Sequence, residues 1–200
     1  MACKPHFLPV TPGGAYVEQS LLHRLRERTG LHELVPLHRI DRETAGLVLF
    51  SVNPATRGLY GRLFPDGGIE KSYLALSAGT VPQGKNAWLV ETRLVPGEPW
   101  YTMTSAPGKP NARSRIELIG TKGNVSRFRL TPLTGKTHQL RVHMSGLGMP
   151  IMNDPLYPHL HLRAPGDFDG PLQLLAHTLR FKDPILGRWL EFQSNRELLW

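Results

Sequence analysis

The sequence has little cysteine and no long apolar run. Its one cysteine, Cys3, has no partner for an internal disulfide, which excludes a disulfide scaffold and favours a reducing compartment. No apolar run approaches the roughly 18 residues of a membrane span, and the N-terminus lacks the charged-then-apolar order of a signal peptide. We therefore expect a soluble cytoplasmic protein with no membrane partner.

The common ligand-binding motifs are also missing. There is no glycine-rich nucleotide loop, no cluster of cysteines and no zinc-binding HExxH helix. His138 and His143 stand five residues apart, a spacing that does not place them on one helical face. We expect no metal and no organic cofactor.

Acidic residues are scarce relative to basic ones. Lysine and arginine number 24 against 16 aspartates and glutamates, which gives a net charge of +8. The excess is concentrated in residues 113–143, where seven basic residues face a single acid, Glu117. A localised basic stretch predicts a polyanionic partner such as nucleic acid. A solvated basic face without a partner is an equal alternative on charge alone.

Length and element order predict the fold class. Two hundred residues correspond to one domain, here expected to span 1–200. We expect helices from Ser20 to Gly30, from Asn53-Pro54 with Leu59 on its apolar face, and from Thr137. Residues 96–111 are expected to form a loop or a bent strand connection, and residues 158–171 a second loop. Strands are predicted at 46–52, 70–78, 87–95, 112–119, 125–131, 176–182 and 188–193. This order indicates an α+β fold with a mixed, mainly antiparallel sheet and inserted helices.

The densest polar stretch is residues 37–46, LHRIDRETAG. Asp41 is flanked by arginines in a loop that enters an apolar strand. A carboxylate in such a place can be a nucleophile, a general base or a metal ligand. The alternative is an Asp–Arg pair that merely ties the loop.

Two more stretches carry reactive side chains. Residues 134–143, TGKTHQLRVH, place polar groups at a helix start, where backbone N–H groups favour anions. In residues 70–75, EKSYLA, strand alternation puts Lys71 and Tyr73 on one face. A tyrosine there can stack on a base or transfer a proton, although most such residues are ordinary sheet residues.

Together these stretches resemble the RluA-type family of RNA pseudouridine synthases. Residues 38–46 resemble its catalytic aspartate motif, residues 71–75 its Lys-x-Tyr-x-Ala motif, and residues 135–143 its third motif, in the family's order. Lys4-Pro5 is similar to the Lys-Pro after the family's first strand, and residues 175–184 to its late strand. The departures are mild: Ile40, Ala45 and Lys136 replace the more common leucine, serine and arginine.

The resemblance implies roles for individual residues. Asp41 would be the essential carboxylate, Tyr73 would stack on the flipped uracil and take the C5 proton, and Arg141 would be the cation paired with Asp41. The substrate-binding residues implied or expected are Arg39, Leu140, Lys71, His138 and Lys136. The family also has a strand or two before Lys4 and often a small N-terminal RNA-binding domain, for which three residues leave no room.

The expected partner is RNA, ribosomal or transfer, and the expected state is a monomer. The basic stretch would contact the RNA phosphates, and residues 96–111 and 158–171 are candidates for recognising the target RNA. The first alternative is a non-catalytic RNA-binding protein on the same fold. A metal-dependent nuclease would need more clustered acids, because only Glu43 lies near Asp41 in the sequence.

Overall fold

The computed structural model describes residues 1–13, 18–161, 163–164 and 166–200, so Leu162 and Pro165 of the predicted 158–171 loop lie outside the described part. The helices and strands run β1 Ala2–Lys4, α1 Leu21–Thr29, β2 Val35–Pro36, β3 Ala45–Val48, β4 Phe50–Ser51, α2 Pro54–Arg62, β5 Ile69–Ser77, β6 Ala87–Pro96, β7 Met103–Ala106, β8 Ala112–Lys122, β9 Val125–Pro132, α3 Gln139–Gly146, β10 Leu174–Lys182 and β11 Trp189–Gln193. Within these ranges, no helix is long and apolar enough to cross a membrane.

The chain forms two compact units. The first contains residues 1–71 and 176–196, and the second contains residues 72–175 and 197–200. Strands β5 and β10 each begin in one unit and end in the other. The expected single domain over 1–200 stays a prediction.

Short antiparallel pairs and two helices form the first unit. Strand β1 pairs with β3 so that Cys3 lies opposite Leu47, β2 pairs with β4, and β10 pairs with β11. One apolar cluster lies under α1 and another joins β3 to the late strands. The buried residues of the first cluster are Leu8, Val10, Leu21 and Val48. Those of the second are Leu47, Leu49, Ile69, Leu179 and Phe181.

An antiparallel meander with one helix forms the second unit. Strand β9 lies between β5 and β8, and β6 lies between β8 and β7. Helix α3 places Leu140 and Met144 in the core, as the sequence predicts. Burying each such side chain stabilises the fold by roughly 1.5–3 kcal/mol. The other buried members of this core are Ala75, Trp88, Ile116, Phe128, Leu130, Met149, Ile151, Leu172 and Leu174.

Local sequence signals correctly predict two helix starts. Ser20 Oγ accepts from the His23 N–H at 3.2 Å, and Gly30 ends α1 with φ +68°. Asn53 Oδ1 accepts from the Ala55 N–H at 2.9 Å, and Pro54 occupies the first helical position of α2. The three helices and the antiparallel strand pairs confirm the predicted α+β class with its mainly antiparallel sheet.

Three local predictions need correction. The predicted strand 46–52 is interrupted at Leu49, because the Leu49 N–H donates to His38 Nε2 and its carbonyl accepts from the Leu37 N–H. Leu59 is exposed, since α2 has no buried residue and packs through Tyr60 instead. Residues 96–111, predicted as a loop or a bent strand connection, contain strand β7, which pairs with β6. Helix α3 begins after His138, not Thr137, because His138 takes the left-handed conformation with φ +52°.

Candidate active site

The Asp41 loop is fastened through its backbone carbonyls. Lys4, fully buried at the end of β1, donates from Nζ to the carbonyls of Pro5 and Arg42, both at 3.0 Å. His6 Nδ1 donates to the Glu43 carbonyl at 2.7 Å. The Thr44 N–H returns to the Asp41 carbonyl at 3.1 Å and closes a turn. Asp41 thus stands on a loop whose path is fixed on its C-terminal side.

Burial changes the ionisation of Lys4. Desolvation lowers the pKa of Lys4 to about 7, against the opposing attraction of Asp41 and Glu43. The repulsion of Arg196 and Arg42 lowers this pKa further. Near neutral pH, Lys4 therefore exists in both charged and neutral forms beside the loop that carries Asp41.

His38 is a structural member of the same loop. It accepts the Leu49 N–H at Nε2, 3.0 Å away, and stacks on the Phe64 ring with centroids 4.6 Å apart. Burial lowers the pKa of His38 to about 4, and the nearby Lys71 charge acts in the same direction. A neutral ring is required for the acceptor role, so His38 links the loop as an uncharged group to Leu49, the residue that follows strand β3.

The strand after the loop approaches another backbone closely. Gly46 has φ +114°, and a Cβ at that position would lie 2.2 Å from the Ala176 carbonyl oxygen and 2.7 Å from its nitrogen. Only glycine fits, since both the conformation and the space exclude a side chain. The glycine of the predicted aspartate motif therefore has a packing role.

A buried ion pair holds the third motif in the second unit. Arg141 Nε donates to Asp154 Oδ2 at 2.8 Å and Nη2 donates to Oδ1 at 2.6 Å. Their side chains are 2% and 1% exposed. Asp154 Oδ1 also accepts from the backbone N–H groups of Leu156 and Tyr157. Two parallel charged hydrogen bonds fix the guanidinium plane as well as its position.

Tyr157 joins this pair to the start of α3. Its ring lies 5.2 Å from the Arg141 guanidinium. Its hydroxyl accepts from the Met103 N–H at 2.8 Å and is hydrogen-bonded to His138 Nδ1 at 2.8 Å. His138 and Arg141, both predicted from the third motif, are therefore held by one tyrosine.

A polar network lies beneath α3. Gln139 Oε1 accepts from the Lys136 N–H and the Thr134 hydroxyl, while Nε2 donates to Ser114 Oγ at 2.8 Å. Ser114 Oγ is also hydrogen-bonded to His143 Nδ1 at 3.0 Å, and His143 Nε2 is hydrogen-bonded to the Thr92 hydroxyl at 2.9 Å. Burial lowers the pKa of His143 to about 4, which keeps the ring neutral.

The predicted residues divide between the units. Asp41, Arg39 and Lys71 belong to the first unit, and the others to the second: Tyr73, Lys136, His138, Leu140 and Arg141. Arg39 is exposed, and Lys71 lies 6.0 Å from the Phe64 ring centroid. That these residues form one site, with Arg141 paired to Asp41, stays a prediction.

The structure shows which residues of the basic stretch are exposed and where Leu140 lies. Burial of Arg141 removes it from any surface that contacts phosphates, while Arg115, Arg129 and Lys136 are exposed. Leu140 lies in the core of the second unit, and its substrate-binding role stays a prediction.

Sequence reasoning missed Asp154, Tyr157 and the supporting roles of Gln139 and His143. A signal for Asp154 was present: it is the only carboxylate between Glu117 and Asp167, and it follows the basic stretch. The described residues contain no group of three or more histidine, cysteine or acidic side chains that could hold a metal ion.

The α+β architecture is that of pseudouridylate synthase domains. The human RNA Pseudouridylate Synthase Domain Containing 1 structure superposes with a TM-score of 0.76 at 25% identity, covering 97% of this chain and 78% of that one. The RNA pseudouridylate synthase family matches residues 1–146. The chain therefore belongs to the RNA pseudouridylate synthase family of isomerases.

Individual relatives differ in length. The Dual-specificity RNA pseudouridine synthase RluA of Pasteurella multocida is 32% identical over 195 residues, which cover 96% of this chain and 86% of that protein. Pseudouridylate synthase RPUSD2 of Mus musculus is 33% identical over 154 residues, or 77% of this chain. The matched region spans only 28% of the length of the mouse protein.

Proposed function

We propose that this chain isomerises uridine to pseudouridine in RNA, with Asp41 as the reacting carboxylate. The observation that carries the proposal is the fixed Asp41 loop, held by Lys4 and His6 through its own carbonyls. A loop that is already ordered in the folded protein loses little conformational entropy when a flipped nucleotide binds. The carboxylate that it carries can therefore be positioned against the nucleotide at a lower free-energy cost. Membership of the family supplies the reaction class.

The reaction breaks the N1–C1′ bond of uridine and forms a C5–C1′ bond to the same sugar. Uracil turns over between the two steps, C5 loses its proton and N1 gains one, so the RNA keeps its composition. Asp41 would attack the sugar or the base, or assist formation of a glycal. Tyr73 would stack on uracil and accept the C5 proton, while Arg39 would help to hold the flipped state. No step requires a metal or an organic cofactor.

The substrate class we propose is structured ribosomal or transfer RNA, bound by a cytoplasmic monomer. Exposed cations of the 113–143 stretch support contact with phosphates, which gives affinity but little sequence information. A uridine inside folded RNA must leave its stack to be reached, at a cost of a few kcal/mol.

The test uses transfer and ribosomal RNA transcribed without modifications and incubated with the chain in EDTA. The RNA is digested to nucleosides and separated. We expect uridine to fall and pseudouridine to rise by equal amounts, and Asp41→Asn to abolish the conversion. Asp66→Asn, an exposed aspartate of the first unit, serves as the matched control and should convert normally.

Two results would contradict the proposal. RNA binding without conversion would favour the non-catalytic RNA-binding alternative. RNA cleavage that stops in EDTA would favour a metal-dependent nuclease.

A further inference from the structure

A large aromatic side chain projects from the hairpin of β6 and β7. Trp100 is 84% exposed, more than any other large apolar residue in the described part of the chain. The Tyr101 ring lies edge-on beside it, with centroids 5.7 Å apart. A tryptophan in water contributes little to the core of its own chain, so its exposure calls for a different explanation.

The turn that carries Trp100 is well bonded. The Gly97 N–H donates to the Thr102 carbonyl at 3.0 Å, and Thr102 donates to the Pro99 carbonyl from both its N–H and its hydroxyl, at 2.8 and 2.7 Å. A Cβ on Gly97 would lie 2.6 Å from Thr102 Oγ1. The hairpin therefore presents Trp100 from a fixed backbone, which lowers the entropic cost of a contact made there.

The surroundings of the hairpin are basic. Arg93 on β6, Lys109 after β7 and Arg113 on β8 are exposed. The nearby acids are Glu98 and Glu91, of which Glu91 is paired with Arg113 at 2.7 Å. Cations on the strands that lead to an exposed aromatic ring match single-stranded nucleic acid, where phosphates and bases alternate. A second copy of this chain fits less well, since its net charge of +8 is repulsive.

The base of the hairpin is bonded to residues of the third motif. The Met103 N–H donates to the Tyr157 hydroxyl, which is hydrogen-bonded to His138. Trp100 precedes Met103 by three residues, so the backbone between them spans at most about 11 Å. A base on Trp100 would therefore lie within a few nucleotides of whatever His138 contacts.

We propose that Trp100, flanked by Tyr101, is a stacking platform for an unpaired base of the RNA near the uridine that is isomerised. The inference rests on the proposed function for the identity of the RNA. The platform recognises a base by its flat face, which favours loops and bulges over continuous duplex.

The test has a binding arm and a kinetic arm. A mixed-sequence single-stranded RNA and a blunt RNA duplex are titrated while tryptophan fluorescence is followed. We expect the single strand to quench Trp100 emission, and Trp100→Ala to weaken its binding about tenfold. On transcribed RNA, the same variant should raise KM with little change in kcat, and Trp100→Phe should retain most of the affinity.

The matched control is Trp189→Ala. Trp189 is an exposed tryptophan of the other unit, already covered by the Arg180 guanidinium at 4.4 Å, and its loss should leave RNA affinity unchanged. Thermal unfolding of both variants should match the parent chain, since Trp100 makes few contacts.

Two outcomes would overturn the platform. The first is an RNA affinity of Trp100→Ala equal to that of the parent chain. The second is a parent chain that forms a dimer in light scattering and a Trp100→Ala variant that does not, because this result would assign the ring to a protein contact. Quenching through Trp100 without pseudouridine formation would instead refute the proposed function and leave the platform in place.

Discussion

In the first unit, the Asp41 loop is held through backbone carbonyls, whereas in the second unit the start of α3 is held through side chains. Lys4 and His6 donate to the carbonyls of Arg42 and Glu43. Asp154, by contrast, binds the Arg141 guanidinium itself. Carbonyl contacts fix a path whatever side chain the loop carries, while an ion pair fixes one particular side chain.

This difference predicts which substitutions separate chemistry from folding. Replacing Asp41 should alter the reaction more than the path of the loop, because Lys4 and His6 bind the loop through backbone carbonyls. Replacing Arg141 or Asp154 should affect both, because each is buried and charged. Four stability predictions test this contrast, and they follow in order of expected effect.

Asp154→Asn should have the largest effect on stability. It removes the carboxylate that accepts from Arg141, and a buried charge that loses its partner typically costs about 3–5 kcal/mol. Urea unfolding measures the loss. The matched control is Glu70→Gln, which removes the exposed partner of Arg180 in the first unit and should cost at most about 1 kcal/mol. Equal losses of unfolding free energy in Asp154→Asn and Glu70→Gln would contradict the claim that the buried ion pair matters more than the exposed one.

Gly46→Ala should destabilise the first unit by about 3 kcal/mol, because its methyl group would meet the backbone of Ala176. Gly58→Ala in α2 is the control, since nothing lies within 4 Å of that position and alanine favours a helix. We expect Gly58→Ala to raise the midpoint of thermal unfolding and Gly46→Ala to lower it. A neutral Gly46→Ala would show that the strand can move away from Ala176.

His38 and His143 should make the free energy of unfolding depend on pH. Each has a folded pKa of about 4 against an ordinary 6.5, so the unfolded chain binds more protons between these values. Stability should therefore fall as pH drops from 6.5 to 4, by up to about 3 kcal/mol per histidine, and level off below.

The measurement is a set of unfolding curves at several pH values for the parent chain, His38→Gln and His143→Gln. Comparing the three shows how much each histidine contributes to the slope of the free energy of unfolding against pH. The slope in this window should decrease in each variant. A slope unchanged in both would contradict neutral, buried rings.

Lys4→Met should have the smallest of the four effects. It leaves the carbonyls of Pro5 and Arg42 without their donor, at a cost of about 1–3 kcal/mol, offset by removal of a buried amine. Amide hydrogen exchange should speed up in residues 41–44 and stay unchanged in α3. Lys109→Met, on the exposed loop before β8, is the control.

The sequence predicted features that depend on neighbouring residues. Ser20 with Gly30, and Asn53 with Pro54, bound their helices through local capping, which a short window displays. The sequence did not predict that α3 begins after His138. The left-handed His138 is hydrogen-bonded to Tyr157, 19 residues later, and a short sequence window does not display that contact. Asp154 was missed because its partner Arg141 is 13 residues away across a turn.

Family membership was predictable for a different reason. Three motifs in order indicated the family before any contact was known, and the family match over residues 1–146 confirmed it. The motifs do not predict which residues hold the Asp41 loop in place. The dipeptide Lys4-Pro5, for example, does not indicate that the Lys4 amine is buried against that loop. Long-range contacts of this kind depend on the fold as a whole.

The most direct test of this account is a single-turnover measurement of tritium release from RNA labelled at uridine C5. The parent chain and Asp41→Asn are compared at saturating enzyme, with RNA affinity and thermal unfolding measured on the same samples. We predict that Asp41→Asn folds and binds RNA like the parent chain and releases no tritium. Release at the parent rate, with folding and RNA affinity intact, would contradict the claim that Asp41 is the reacting carboxylate.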